Sequence, residues 1–187
     1  MRSDQELIQD IRDGRLESLA PLIDRYGRDL MHYLASILNR RDKAQDVFQD
    51  TWRRVLENVG RFQMGEPFAP WVFRIARNLA FDALRRQRRW RFLGDEARED
   101  QPVFEPAVAA SFDDRLVNRD LAEAVLARLD PVFREVLSLR FFGDKSYEEI
   151  ARICGLPLGT VKTRLRRALA RAAELYEEIQ KECQSHG

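Results

Sequence analysis

Apolar side chains return at every third or fourth position along nearly all of this 187-residue chain, and the pattern lapses only once. A period near 3.6 puts those side chains on one stripe of an α-helix, and no alternating, strand-like run competes with it. The lapse is RFLGDEAREDQPVFEPAVAASFD, residues 91–113, which holds two prolines, several small residues and no sustained period. A break of about 20 residues is longer than the usual connection inside a compact domain. The expected fold is therefore all-α, with two small helical domains, residues 1–90 and 114–187, joined by a flexible acidic linker over 91–113.

Helix by helix, Ser3 and Glu6 form a capping box that opens the first one. Leu19, Leu22, Ile23, Tyr26, Leu30, Tyr33, Leu34 and Ile37 trace a second, and Val47, Phe48, Trp52, Val55 and Val59 a third over Arg41–Asn58. A loop with glycine and proline signals, residues 60–70, precedes a long helix from about Pro70 to Arg89. Four more helices are expected over 118–129, 130–141, 146–154 and 158–179.

No run reaches the ~18 apolar residues of a membrane helix, and the N-terminus carries no apolar signal segment, so a cytoplasmic protein is expected. Two cysteines and two histidines make neither a disulfide framework nor a metal cluster. No nucleophile–base pair or glycine-rich phosphate loop is present, so neither an enzyme, a cofactor nor a small-molecule substrate is expected. Cys154 reads as a small core residue.

The formal net charge of +1 argues against nucleic acid until it is resolved along the chain. Residues 1–90 carry 17 basic and 13 acidic side chains, residues 91–113 carry 2 and 6, and residues 114–187 carry 13 and 12. Within the two domains the basic charge is clustered, at Arg85–Arg91 (RRQRRWR) and at Lys162–Arg167 (KTRLRR). Such clusters are the electrostatic footprint of phosphate binding.

The second cluster sits in a helix-turn-helix pattern. Ser146 and Glu149 form another capping box, Tyr147, Ile150, Ala151 and Cys154 make one stripe, and Gly155 suits a left-handed helix end. After the turn LPLGT, with Gly159 or Thr160 opening the next helix, Val161, Leu165, Ala168, Leu169 and Ala172 face inward. Thr160, Lys162, Thr163, Arg164, Arg166, Arg167 and Arg171 face outward. The early outward side chains of such a helix reach base edges and the later arginines reach phosphates.

The first cluster ends the stretch GRFQMGEPFAPWVFRIARNLAFDALRRQRRW, in which aromatic rings alternate with arginines. Rings stack on unpaired bases while guanidinium groups hold phosphates. Trp71, Ile75 and Leu79 lie on one helical stripe and read as core. The loop from Phe62 to Ala69, with Asn78, Asp82, Arg85 and Arg86, is the better candidate surface. Gln45, Asp46, Gln49, Asp50 and Arg53 share a side of the third helix, a solvated face that also suits docking on a basic protein surface.

These residues resemble the extracytoplasmic-function group of bacterial sigma factors in the sigma-70 family. DVFQDTWRRVLENVGRF is similar to region 2.1–2.2, FAPWVFRIARNLAFDALRRQRR to regions 2.3–2.4, and LDPVFREVLSLRFFGDKSYEEIARICGLPLGTVKTRLRRALARA to region 4. The resemblance covers about residues 5–90 and 115–178 and implies a protein that binds core RNA polymerase and directs it to promoter DNA. It implies that Gln45, Asp46, Gln49, Asp50 and Arg53 meet polymerase. It places Phe62, Phe68, Arg77, Asn78, Asp82, Arg85 and Arg86 at a single-stranded −10 element, the loop from Phe62 to Ala69 holding a flipped base. Thr160, Lys162, Thr163, Arg164, Arg166 and Arg167 would read the −35 duplex. An anti-sigma factor is a further partner that members of the family have.

The runner-up is a helix-turn-helix regulator that acts without polymerase, but a reader of duplex alone has no use for the aromatic–arginine loop. The resemblance implies that the acidic linker runs toward the RNA exit path, where it would either occupy a positive channel or serve only as a soluble connection. The low net charge implies weak attraction to DNA without polymerase.

Overall fold

The computed structural model describes residues 2–91 and 119–185, with side chains over 2–86 and 121–184. Among the described residues every regular element is helical. The acidic stretch and its expected course lie outside them, as do the side chains of Arg88, Arg89 and Arg91 in the first basic cluster.

Helix α1 spans Asp4–Arg12 and starts at the expected box: the Ser3 hydroxyl accepts the Glu6 N–H at 3.3 Å and the Glu6 carboxylate accepts the Ser3 N–H at 2.6 Å. Its inner face, Leu7, Ile8 and Ile11, is buried. A 3₁₀ turn leads to α2, Leu19–Leu38, and α3 comes next over Arg41–Asn58, as the apolar spacing predicts. Helix α4 covers Phe68–Arg91 and starts two residues earlier than expected. It packs on α2 and α3 through Val72, Phe73, Ala76 and Ala80, all fully buried.

Asp10 ties α1 to the 3₁₀ turn beyond it. Its carboxylate accepts from the Arg15 guanidinium and from the Ser18 hydroxyl at 2.9 Å. Chiefly because of Arg15, then Ser18 and Arg2, its pKa is held at about 2. A carboxylate held below its unfolded value stabilises the fold above about pH 4 and loses that contribution as pH falls toward 2. Asp10→Asn should flatten the fall in Tm between pH 4 and pH 2, measured by circular dichroism, and lower Tm at neutral pH.

In the second half, α5 spans Arg119–Arg128 and α6 spans Pro131–Leu137, with proline at its first turn, where its missing N–H costs nothing. The expected single helix to Phe141 instead widens into a π turn over Ser138–Phe142, closed by the Gly143 N–H on the Ser138 carbonyl at 3.0 Å. Helix α7, Tyr147–Cys154, begins at the Ser146–Glu149 box and ends on Gly155 at φ +67°, both as expected. Helix α8 starts at Leu158, where the expected span 158–179 begins, and runs on to Ser185. Val161, Leu165, Ala168 and Ala172 are buried under it. Tyr147 departs from the expected stripe: it is exposed, with Arg140 over its ring at 5.6 Å, and Ile153 takes the buried place.

The two halves are packed against each other. The end of α2 and the middle of α4 meet α6, the π turn and α7. Glu135 on α6 is fully buried there. Its carboxylate accepts from Arg77 Nε on α4 at 2.6 Å and from the Tyr33 hydroxyl on α2 at 3.2 Å. Burial, reinforced by the Glu135 charge, pushes the Tyr33 hydroxyl well above its ordinary pKa, so it stays a donor. Burial works against the charge of Arg77, and the Glu135 carboxylate more than offsets it. Beside this cluster the Ser36 and Ser138 hydroxyls share a hydrogen bond at 2.7 Å.

Arg134 joins the halves differently. Its guanidinium donates to the carbonyls of Ser36 and Ile37 at the end of α2, at 3.2 and 3.3 Å. It also donates to those of Ala127 and Leu129 at the end of α5, at 3.0 and 2.7 Å. The last carbonyls of a helix lack intrahelical partners and carry partial negative charge, so one cation serves two helix ends.

Candidate nucleic-acid and polymerase interfaces

The loop between α3 and α4 borders a recess of about 420 Å³, whose walls include Arg61, Gln63, Glu66, Trp71 and Arg74. Phe62 and Trp71 line it and belong to a cluster of rings: Phe62 lies 5.2 Å from Trp71 and 5.9 Å from Phe68, centroid to centroid, and Phe68 lies 5.5 Å from Tyr26. Phe62 and Phe68, expected at the −10 element, are only 4% and 1% exposed. Neither can stack on a base here; Phe62 lines the recess and Phe68 packs against Phe62 and Trp71. Trp71, read as core, is only partly buried and reaches the wall. Sequence reasoning missed Arg61 and Arg74 as wall residues, although both stood in the aromatic–arginine stretch. It also missed Arg152, which comes to the same recess from α7.

Along α4, Asn78, Arg85 and Arg86 are exposed and Asp82 is partly so. Their spacing puts them on one helical face, where Arg85 pairs with Asp82. Arg77 departs from this group. It is turned toward Glu135 and lies over the Phe81 ring at 4.8 Å. Its charge is committed to the joint between the halves in this arrangement.

On α8, Thr160, Lys162, Thr163, Arg166 and Arg167 are exposed and Arg164 is partly buried, as the periodicity predicts. Thr163 donates its hydroxyl proton to the Gly159 carbonyl at 3.0 Å, leaving its oxygen an acceptor at the exposed face. A groove of about 710 Å³ has Phe81, Leu84 and Arg85 of α4 on one side and Thr160, Thr163, Arg164 and Arg167 of α8 on the other. The two candidate reading surfaces thus face a shared space. Cys154, close to Arg77 and Glu135, has its thiol pushed up to about 12, first by burial and then by Glu135, so it is an unreactive core thiol. Cys183 is exposed.

Gln45, Asp46, Gln49 and Arg53 are exposed on α3 and Asp50 is partly so. The charged members pair within the helix, Lys43 with Asp46 at 3.5 Å and Arg53 with Asp50 and Glu57 at 3.0 Å each. Exposed pairs of this kind are screened by water and contribute little, so a partner can exchange them at small cost.

No described helix is long and apolar enough to cross a membrane, and no group of three or more His, Cys, Asp or Glu among the described residues is placed to hold a metal.

Comparison with known proteins connects these surfaces. Sigma-70 region 2 matches residues 22–90, and Sigma-70 region 4 matches residues 119–171. The chain is 34% identical over 172 residues to RNA polymerase sigma factor CarQ of Myxococcus xanthus, covering 91% of this chain and 96% of that one. It is 32% identical over 171 residues to the ECF RNA polymerase sigma factor RpoE of Cereibacter sphaeroides, covering 88% and 90%. Among solved structures it is similar to CnrH in complex with the cytosolic domain of CnrY, at TM-score 0.68 and 26% identity over 94% of this chain and 97% of that one. It is also similar to the sigma factor RpoE in complex with the anti-sigma factor NepR from Bartonella quintana, at TM-score 0.64 and 27% identity over 90% and 98%. The chain belongs to the extracytoplasmic-function sigma factors of the sigma-70 family.

Proposed function

We propose that this chain binds core RNA polymerase through the α3 face and directs it to promoters, residues 1–90 capturing the −10 element and residues 114–187 reading the −35 duplex. The observation that carries the reading is the ordered pair of sigma-70 regions, each presenting an exposed basic helix face. A regulator working without polymerase is not favoured, because region 2 accounts for most of the first half. Sigma factors are non-enzymatic initiation factors. By our reading this chain likewise turns over no substrate, uses no cofactor and works in the cytoplasm.

The recess beside Trp71 is the site at which an unpaired −10 base would be held. Flipping a base costs a few kcal/mol, which wall contacts from Trp71, Arg61 and Arg74 would offset. In the packed arrangement Arg152 shares that recess, and α8 faces α4 rather than solvent alone.

A compact chain of this length has a radius of gyration of about 16 Å. Elements 25 base pairs apart on B-DNA are separated by about 85 Å. Reading both at once therefore requires the halves to part, and polymerase supplies the frame. The solved RpoE relative is bound to an anti-sigma factor. We extend that partner to this chain, where it would hold the halves in a form that cannot span a promoter.

Run-off transcription with core polymerase, with and without this protein, on templates carrying or lacking each element, tests the reading. Transcription that ignores its presence would refute it. Within that assay Arg166→Ala should lower −35-dependent transcription roughly 5- to 150-fold, the range for one lost base contact of about 1–3 kcal/mol, while leaving polymerase binding intact.

A further inference from the structure

Region 2 is matched from residue 22 onward, yet the loop that borders the recess is held from outside that span. Helix α1 supplies the hold. The Gln5 side-chain carbonyl accepts the Gly65 N–H at 3.0 Å, and the same amide donates to the Glu66 carbonyl at 2.9 Å. Farther along α1, the Arg12 guanidinium donates to the carbonyl of Val59 at 3.0 Å, to that of Gly60 at 3.4 Å and to that of Phe62. The residues at 59–61 form the turn that ends α3, where carbonyls need outside partners. Gly65, at φ +95°, makes the sharp turn at the loop tip and sets its N–H toward Gln5.

We propose that Gln5 and Arg12 are positioning residues for base capture at the −10 element, which rests on the recess being the capture site. Both touch only the loop backbone and leave Arg61, Gln63, Met64 and Glu66 free to face DNA. Those four side chains are exposed at the loop, and their placement relative to Trp71 depends on where the backbone is pinned. A capture pocket works only if its geometry is set before the base arrives, since ordering the loop afterwards would consume the contact energy. The α1 helix can act as a fixed frame because its other face is anchored independently, by Leu7, Ile8 and Ile11 in the core and by Asp4 on Arg25 and Tyr26.

The test uses holoenzyme assembled from core polymerase and the full chain, on promoters premelted across the −10 element and carrying each of the four bases at successive positions. Wild-type holoenzyme should favour one base at the captured position. Gln5→Ala should reduce that preference about tenfold, the effect of losing two backbone-directed hydrogen bonds, and slow open-complex formation on duplex more than on premelted templates. Binding to core polymerase and −35 dependence should be unchanged, which general loss of structure would not allow. Arg12→Ala should act in the same direction, with Arg12→Lys restoring part of the preference. Full wild-type preference in Gln5→Ala would overturn the inference while leaving the reading of the recess intact. A wild-type holoenzyme indifferent to every −10 base would overturn both.

Discussion

Arg77→Leu should separate the two halves of this sigma factor in solution. The substitution strands the Glu135 carboxylate, which is fully buried and accepts its shortest hydrogen bond from Arg77. Removing one member of a buried ion pair costs about 3–5 kcal/mol, because the remaining charge keeps its desolvation penalty without its partner. That lowers the ratio of packed to parted molecules by roughly two to four orders of magnitude, at about 1.4 kcal/mol per factor of ten. Small-angle scattering should report a radius of gyration well above the ~16 Å of a compact chain this long. Thiol labelling supplies a second reading. Exposed Cys183 should react fast in wild type and variant, whereas buried Cys154, with Arg77 close by, should react fast only in the variant. Adding Glu135→Leu to Arg77→Leu should restore most of the compactness and protection, since an apolar pair can replace a buried ionic one at little cost, less the penalty of a Tyr33 hydroxyl left without its acceptor. A compact Arg77→Leu protein would show that apolar packing alone holds the halves together.

Asp50→Lys should abolish useful binding to core polymerase without disturbing the fold. The side chain is half exposed on α3, and its ion pair with Arg53 lies within the helix. No packing is lost, and Arg53 keeps Glu57. At the proposed interface the carboxylate would face a basic surface, where a lysine is a like charge and costs several kcal/mol. A loss of about 2–4 kcal/mol is a 30- to 1,000-fold rise in Kd. Competition against wild-type chain for core polymerase measures it, with far-ultraviolet circular dichroism as the control for folding. Polymerase affinity equal to wild type would remove this face from the interface.

Much of the architecture was legible because it depends on local chemistry. A serine three residues before a glutamate, leading into an apolar stripe, specifies where α1 and α7 begin whatever surrounds them. The inward positions of α8 come from period alone, and so do the outward ones. Other features depend on partners distant in sequence. Glu135 looks like any solvated helical glutamate until Tyr33 and Arg77 arrive from about a hundred and about sixty residues away. Arg77 sits in sequence among arginines expected to face DNA, and only the packing of α4 on α6 and α7 turns it aside. Phe62 and Phe68 share composition with a base-stacking loop, and depth of burial is what separates them from Trp71. The π turn at Ser138 has no sequence mark of its own. It keeps Ser138 aligned with Ser36 on α2, a constraint imposed by tertiary packing.

The joint also has a thermodynamic asymmetry. When the halves part, Glu135 and Arg77 enter water together, and Arg134 exchanges the Ser36 and Ile37 carbonyls for water while keeping those of Ala127 and Leu129. The paired groups leave one set of partners for another and the buried Arg134 Nε, which has no partner in the packed form, gains water, so this part of the joint adds little net resistance to separation. A point mutation does the opposite and strands one partner in the dry interior. The polar part of the joint is thus inexpensive to open and expensive to damage. Its polar contacts set how the halves align on closing, and a modest difference in polymerase's affinity for the two forms is enough to move the population between them.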